Sequence, residues 1–211
     1  MGYYPVVLQL TGRRCVVIGG GAVAERKVEG LIEAGANVTV ISPALTARLQ
    51  RLVEDGVIVC ERRAYQAGDL VGYQMAFVAT ENAQINAAVY EEGKRRAVWV
   101  NAADDPAHCD FILPSVLRRG ALAVAVSTGG KSPALSRSIR EGLEGHFSAD
   151  YGSLVEIAAE VREELQRLSL SPCYEAWRSA LQGAVREHVR RGEAVQAKSL
   201  LLKELGATPC E

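Results

Sequence analysis

Asp104 and Asp105 stand side by side in the run Asn101-Ala102-Ala103-Asp104-Asp105-Pro106. A carboxylate held at the end of a buried strand can take a proton from a bound substrate. Neighbouring side chains point apart, so the two aspartates are not expected to act as a pair. The plainer alternative is a turn, because Asp-Pro commonly starts one. A second stretch, Gly19-Gly20-Gly21-Ala22-Val23-Ala24, has the spacing G-x-G-x-x-G/A. In that pattern Gly19 allows a tight turn, Gly21 lets backbone approach a pyrophosphate, and Ala24 lets a helix pack closely on its strand. The third is Ser127-Thr128-Gly129-Gly130-Lys131-Ser132-Pro133. Hydroxyls, backbone N–H groups and Lys131 at a helix start make a cradle for a carboxylate or phosphate. A plain connection with a well-capped helix is the competing reading. His108 is the only histidine near these loops, while His146 and His188 fall in the C-terminal part of the chain. No His, Cys and carboxylate cluster has ligand spacing, so no protein-held metal is expected.

These groups need elements to hold them. Residues 15–18 read as a buried strand running into the glycines, with a helix over 24–34 closed by Gly35. Strands are predicted at 37–41, 57–60, 74–79 and 97–100, with helices over 45–54 and from Asn82 to about 96. Residues 6–10 are expected as an edge strand or cover, and 65–71 as a short helix or loop. Alternating strands and helices argue for a doubly wound parallel sheet, whose ligands gather at the carboxyl ends of its strands. Thr80, at the end of the fourth strand, lies on that edge, and the 101–106 loop follows the fifth. After the second strand comes Ser42-Pro43-Ala44. Many dinucleotide sites have an acid there for the ribose, and its absence here leaves the cofactor type open; the absence of an arginine for a 2′-phosphate favours NAD over NADP. Residues 111–117 and 121–127 read as a hairpin whose Leu122, Val124 and Val126 face is buried, as against another subunit. A helix to about 143 follows. Helices are expected from 149 onward: a first with a Leu154, Ile157, Val161, Leu165 stripe, a second over 172–190 and a third over 193–205.

The 211 residues are 48% hydrophobic and 23% charged with a net charge of -1, the balance of a soluble globular protein. That charge gives no general field for nucleic acid or an anionic membrane. No apolar run approaches the roughly 18–20 residues that span a bilayer. The start lacks the pattern of a signal peptide, and Val6 breaks the myristoylation pattern. The five cysteines, Cys15, Cys60, Cys109, Cys173 and Cys210, are odd in number with no C-x-x-C pair. Reduced thiols in a cytoplasmic protein are expected.

Taken together and in order, Gly19-Gly20-Gly21-Ala22-Val23-Ala24-Glu25-Arg26-Lys27, Asn101-Ala102-Ala103-Asp104-Asp105, Phe111-Ile112-Leu113-Pro114-Ser115 and Ser127 through Pro133 resemble the precorrin-2 dehydrogenase / sirohydrochlorin ferrochelatase family of sirohaem synthesis. The resemblance covers about the first 145 residues. It implies an α/β fold: an NAD-binding Rossmann-like domain (1–113), a hairpin-plus-helix dimerisation region (114–145) and a helical C-terminal domain (146–211). It implies NAD-dependent oxidation of precorrin-2 to sirohydrochlorin by a homodimer, then insertion of ferrous iron as a substrate to give sirohaem. Asp104 matches the family's base. Cofactor contacts map to Ala22, Val23, Pro43 and Ala44, joining Gly19, Gly21, Ser42 and Thr80. Asn101, Ser127, Thr128, Gly129 and Lys131 are the expected contacts of the tetrapyrrole. Two alternatives remain open at this point: a dehydrogenase without chelatase activity, and a non-catalytic NAD-sensing module.

Overall fold

Arg14–Ile18 forms β1, the middle strand of a five-stranded parallel sheet ordered β3-β2-β1-β4-β5. The other strands are β2 (Asn37–Ile41), β3 (Val59–Glu61), β4 (Met75–Val78) and β5 (Trp99–Ala102). The computed structural model describes residues 2–206. Cys210 and the last residues of the 146–211 segment lie outside them. The chain divides into two units, Met1–Leu113 and Pro114–Glu211, each with its own core.

The period-2 alternation of β1 sorts the first unit's core onto two faces. Cys15 and Val17 join Val40 and Phe77 beneath α1 (Ala22–Glu33), which buries Ala24, Val28 and Leu31. Val16 and Ile18 join Ala76, Val78 and Val100 beneath α3 (Ala83–Arg96), which buries Val89. Each valine, leucine, isoleucine or phenylalanine among them, fully buried, contributes about 1.5–3 kcal/mol. Cys15 lies so deep that burial pushes its thiol up to about 11. The helix starts follow local chemistry. Thr46 Oγ1 accepts from the Leu49 amide to cap α2 (Ala47–Glu54), and Asn82 Oδ1 accepts from the Gln84 and Ile85 amides to cap α3. Gly35 turns the chain out of α1 at φ +74°.

Several boundaries differ from the sequence expectation. α1 begins at Ala22, directly after Gly21. Residues 6–10 form no strand, and Val7 is 98% exposed. Leu10 alone of that run packs on the core. β3 begins at Val59 because the Val57 and Ile58 amides bond back to the Leu52 carbonyl, completing the end of α2. β5 begins at Trp99 because Ala97 caps α3 in the left-handed region (φ +56°) and the Val98 amide bonds to Gly93. Asn101 is therefore in a strand rather than a loop.

Residues 65–71 take the loop alternative, wrapped as turns around a buried carboxylate. Glu92, 1% exposed, accepts from Tyr65 Oη (2.5 Å), the Gly68 and Leu70 amides (2.9 and 3.1 Å) and Arg96 Nε (2.8 Å). Burial acts to raise its pKa, but those hydrogen bonds outweigh burial and hold the carboxyl below its ordinary 4.5. A carboxyl depressed in the folded state stabilises fully above its unfolded value, and that contribution fades as pH falls through the lower folded value. Glu92→Ala is expected to cost on the order of 3 kcal/mol near neutral pH, since it strands several buried donors. Thermal unfolding checks this: the gap in Tm between variant and parent narrows as pH drops below the ordinary carboxylate range.

In the second unit, β6 (Ser115–Arg119) and β7 (Leu122–Val126) form an antiparallel hairpin with Leu117 opposite Val124. Leu117 is buried, while Val116, Ala123 and Ala125 are exposed on the other face. Pro133–Leu143 forms α4, capped by Ser132 Oγ accepting from the Leu135 amide. The expected stripe Leu154, Ile157, Val161 and Leu165 is the buried face of α5 (Asp150–Arg167). It packs with Val185, Val189, Leu201 and Leu205 in a separate core. The segment expected as one helix over 172–190 is two, α6 (Tyr174–Ala180) and α7 (Gly183–Arg190). Gly183 at φ +55° breaks it. Ala194–Gly206 forms α8.

Candidate active site

The glycine run joins β1 to α1 at the carboxyl edge of the sheet. The Gly19 amide bonds to the Ile41 carbonyl, and its φ of +120° is closed to side-chain-bearing residues. A Cβ there would lie 2.3 Å from the Ala79 oxygen, and one on Gly20 would lie 2.0 Å from the Ala44 oxygen. A Cβ on Gly21 would meet nothing within 4 Å. Gly19 and Gly20 are thus fixed by the protein's own packing, whereas Gly21 borders open space. The amides of Ala22 and Val23 open α1 with no backbone acceptor. That combination fits a pyrophosphate, with the positive end of the helix behind it.

The neighbouring segments complete this edge. Ser42, 6% exposed, donates its hydroxyl to the Ala44 carbonyl at 2.7 Å. Expected as a cofactor contact, it is placed as a brace that presents the exposed Pro43 and Ala44. Thr80 Oγ1 accepts from the Asn82 amide at 3.2 Å and shapes the turn into α3. Pro43 and Ala44 thus share the carboxyl edge with the glycine turn, and Thr80 follows Ala79, against which Gly19 packs.

At the end of β5 the polar groups are knit together. Asn101, 7% exposed, accepts from Lys27 Nζ at 3.3 Å and donates to the Phe111 carbonyl at 2.9 Å. It is a buried cross-brace, with its amide turned into the protein. Cys109 Sγ packs against both the amide and the carbonyl of Ala102 at 3.2 Å, and burial pushes its thiol up. Asp105 Oδ2 faces His108 Nδ1 at 2.7 Å and Asn86 Nδ2 at 3.4 Å. The His108 hydrogen bond, foremost, holds the Asp105 carboxyl below the usual carboxylate range. Asp104 differs from all of these. It is exposed, sits in the left-handed region at φ +58°, and its carboxylate makes no hydrogen bond among the described residues. The two aspartates thus have unlike surroundings.

Lys27 is the group that the sequence reading did not single out. Half-buried on α1, it lies over the Phe77 ring at 5.7 Å and beside Asn101. Burial, then the charge of Arg26, lowers its pKa, against an opposing pull from Cys109 and Asp104. The signal was present: Lys27 stands three residues after Ala24 and one before Val28, at the margin of the apolar stripe of α1.

In the second unit the 127–132 loop satisfies three of its own amides. Thr128 Oγ1 accepts from the Ser132 amide (3.0 Å), Ser127 Oγ from Gly129 (3.1 Å), and the Thr128 carbonyl from Lys131 (3.2 Å). Gly129 and Gly130 take φ of +63° and +77°. Of the expected cradle, Lys131 keeps an exposed ammonium and no ion pair among the described residues. No group of three or more His, Cys, Asp or Glu among those residues could hold a metal, and no helix is long and apolar enough to cross a membrane.

Comparison with known proteins extends this picture. A family described as putative NAD(P)-binding matches residues 6–115, and the sirohaem biosynthesis protein central family matches 119–146. A siroheme synthase of Methylococcus capsulatus is 36% identical over 209 residues, 98% of this chain and 44% of that protein. One of Nitrosococcus oceani is 37% identical over 203 residues, 95% of this chain and 43% of that protein. The chain thus spans less than half the length of these curated relatives. Among solved structures, SirC, a precorrin-2 dehydrogenase, superposes with a TM-score of 0.74 at 25% identity, covering 98% of this chain and 100% of that one. The NAD(P)-binding match spans the sheet and just over half of the chain, and the shorter sirohaem match spans β7 and α4. The chain belongs to the family described as putative NAD(P)-binding.

Proposed function

We propose that this chain oxidises precorrin-2 to sirohydrochlorin with NAD as the acceptor. The observation that carries the reading is Asp104: an exposed carboxylate with no hydrogen bond among the described residues, on the same sheet edge as a glycine turn that fits a dinucleotide. Bound NAD would supply the hydride acceptor. Gly21 and the α1 amides would hold its pyrophosphate, with Pro43 and Ala44 toward the adenosine and Thr80 on the nicotinamide side. The residues 42–44 lack the carboxylate that commonly holds the ribose, so the preference for NAD over NADP rests on the absence of an arginine for a 2′-phosphate. Asp104 would take the proton that leaves the tetrapyrrole as its hydride departs. Ser127, Thr128, Gly129 and Lys131 would meet the carboxylates of the tetrapyrrole, Lys131 by charge. Asn101 would act from behind, by fixing the end of β5.

Ferrous iron insertion into the product is the second step of the proposal, with iron as a substrate. The product's four nitrogens hold the metal, so a protein cage is not required, and Asp104 is the base available for their protons. A dehydrogenase that stops at sirohydrochlorin is the competing form. The proposed homodimer is supported by the apolar exposure of the second unit, where Val116, Leu135 and Ile139 are 37%, 52% and 42% exposed. The segment 114–145 is its proposed dimerisation region, lying in sequence between the proposed NAD-binding domain 1–113 and the proposed helical domain 146–211. A cytoplasmic, reducing location suits this chemistry.

Anaerobic absorbance with precorrin-2 and NAD, followed by ferrous iron, tests both steps. The expected result is NADH with the sirohydrochlorin spectrum, then iron-dependent conversion faster than without protein. Oxidation with no acceleration of metal insertion assigns the dehydrogenase alone. Binding of NAD with no turnover of the tetrapyrrole returns the NAD-sensing reading.

A further inference from the structure

Asp104 sits in a backbone conformation that residues with a side chain rarely adopt, at φ +58°. Something must hold it there, and hydrogen bonds grip the chain on both sides. Before it, the Ala103 amide bonds to the Val78 carbonyl at 2.8 Å, extending the β4–β5 ladder. After it, the grip is on a side chain: Asp105 Oδ2 receives His108 Nδ1 at 2.7 Å and Asn86 Nδ2 at 3.4 Å. The Asp105 amide reaches the Ala102 carbonyl only at 3.5 Å, so the backbone bond at this corner is weak.

Both partners of Asp105 are themselves held. His108 closes the single 3-10 turn Pro106–His108, its amide bonds to the Asp105 carbonyl at 3.1 Å, and its ring meets Tyr90 edge-on at 5.4 Å. Asn86 is on α3 and 6% exposed, and its Oδ1 is buried with no hydrogen-bond partner among the described residues. The reverse amide orientation would set that oxygen against the Asp105 carboxylate. An orphaned acceptor is unfavourable for stability, and here it accompanies a donor aimed at Asp105. Strain and unmet polar groups gather where a neighbouring group must be held in one place.

We propose that His108 is a positioning residue: through Asp105, and together with Asn86, it clamps the turn that holds Asp104 left-handed with its carboxylate toward the ligand edge. The proposal rests on Asp104 being the base. With the clamp released, the turn relaxes toward commoner backbone angles and the carboxylate moves off line, which costs rate without touching the cofactor's own contacts.

The test uses the full chain. His108→Leu keeps bulk but loses the donor, and it is expected to lower kcat about tenfold, with KM for NAD unchanged within twofold. His108→Asn sets an amide nitrogen the same number of bonds from the backbone as Nδ1, and is expected to recover most of that loss. On an Asp104→Ala background, His108→Leu is expected to have no further effect. A crystal structure of His108→Leu is expected to show Asp104 outside the left-handed region. Wild-type kcat in His108→Leu, an equal loss in His108→Asn, or a full tenfold further loss on the Asp104→Ala background would overturn the clamp. If Asp104→Ala itself turns over normally, the base assignment fails, and the Asp104 φ in His108→Leu then judges the clamp alone: a value still near +58° overturns it.

Discussion

Asp104→Ala is expected to lower NADH formation from precorrin-2 by about 10²–10⁴-fold, the usual range for a lost general base. Folding and NAD binding should be nearly untouched. The side chain is exposed and makes no hydrogen bond among the described residues, so its removal leaves no buried partner stranded. The substitution also retains a Cβ at φ +58°, so the backbone strain is much the same in both proteins. The loss should fall on kcat, because a proton acceptor matters in the transition state more than in the ground state. Stopped-flow absorbance with precorrin-2 and NAD, beside a fluorescence titration of NAD, separates the two quantities. A wild-type rate would remove Asp104 from the reaction. Asp105→Ala should behave differently, because it strips the partner from His108 and Asn86 as well.

Adjacent glycines at the turn are expected to give opposite results. In Gly20→Ala the new methyl would overlap the Ala44 oxygen at 2.0 Å and the Ser42 hydroxyl at 2.8 Å. Backbone cannot yield as a flexible side chain can, so a destabilisation of about 1–3 kcal/mol or more is expected, seen as a lower Tm. Gly21→Ala meets no protein atom within 4 Å and should melt close to the parent. Its methyl would occupy the space proposed for the pyrophosphate, and KM for NAD should rise about tenfold or more, equivalent to roughly 1.4 kcal/mol. If Gly21→Ala bound NAD normally, the phosphates would have to lie elsewhere. The comparison separates a glycine needed by the fold from one needed by the ligand, and the spacing, which leaves position 20 free, does not mark Gly20 as the former.

Features set by local chemistry were legible in the sequence. Ser132 before Pro133, Asn82 before α3 and Gly35 after α1 act within a few residues of themselves, and each stands where its chemistry predicted. The parallel sheet was legible too, because strand runs and glycine turns repeat at regular intervals. Features set by distant contacts were not. Asn101 read as a loop amide facing a ligand, but its partners Lys27 and Phe111 stand 74 and 10 residues away and draw it inward. Ser42 looked like a cofactor contact, yet its hydroxyl is held by Ala44 under the glycine turn. The 127–132 loop displayed its hydroxyls in sequence but not that they would fold back onto its own amides. Asp104 was found by position, while its left-handed backbone depends on Val78, Asn86 and His108 and left no local mark.

The left-handed Ala97 sets the phase of β5. Side chains along a strand alternate between faces, so a slip of one residue at that joint would exchange the two sides of everything after it. Asn101 would turn into the apolar layer of Val16, Ile18 and Ala76, and Val100 or Ala102 would take its place beside Lys27. The 97–98 joint therefore acts as the timing mark for the turn that follows, which carries the proposed base Asp104. Length changes on the 65–72 turns would leave that phase alone, whereas one residue gained or lost at the joint would reverse it.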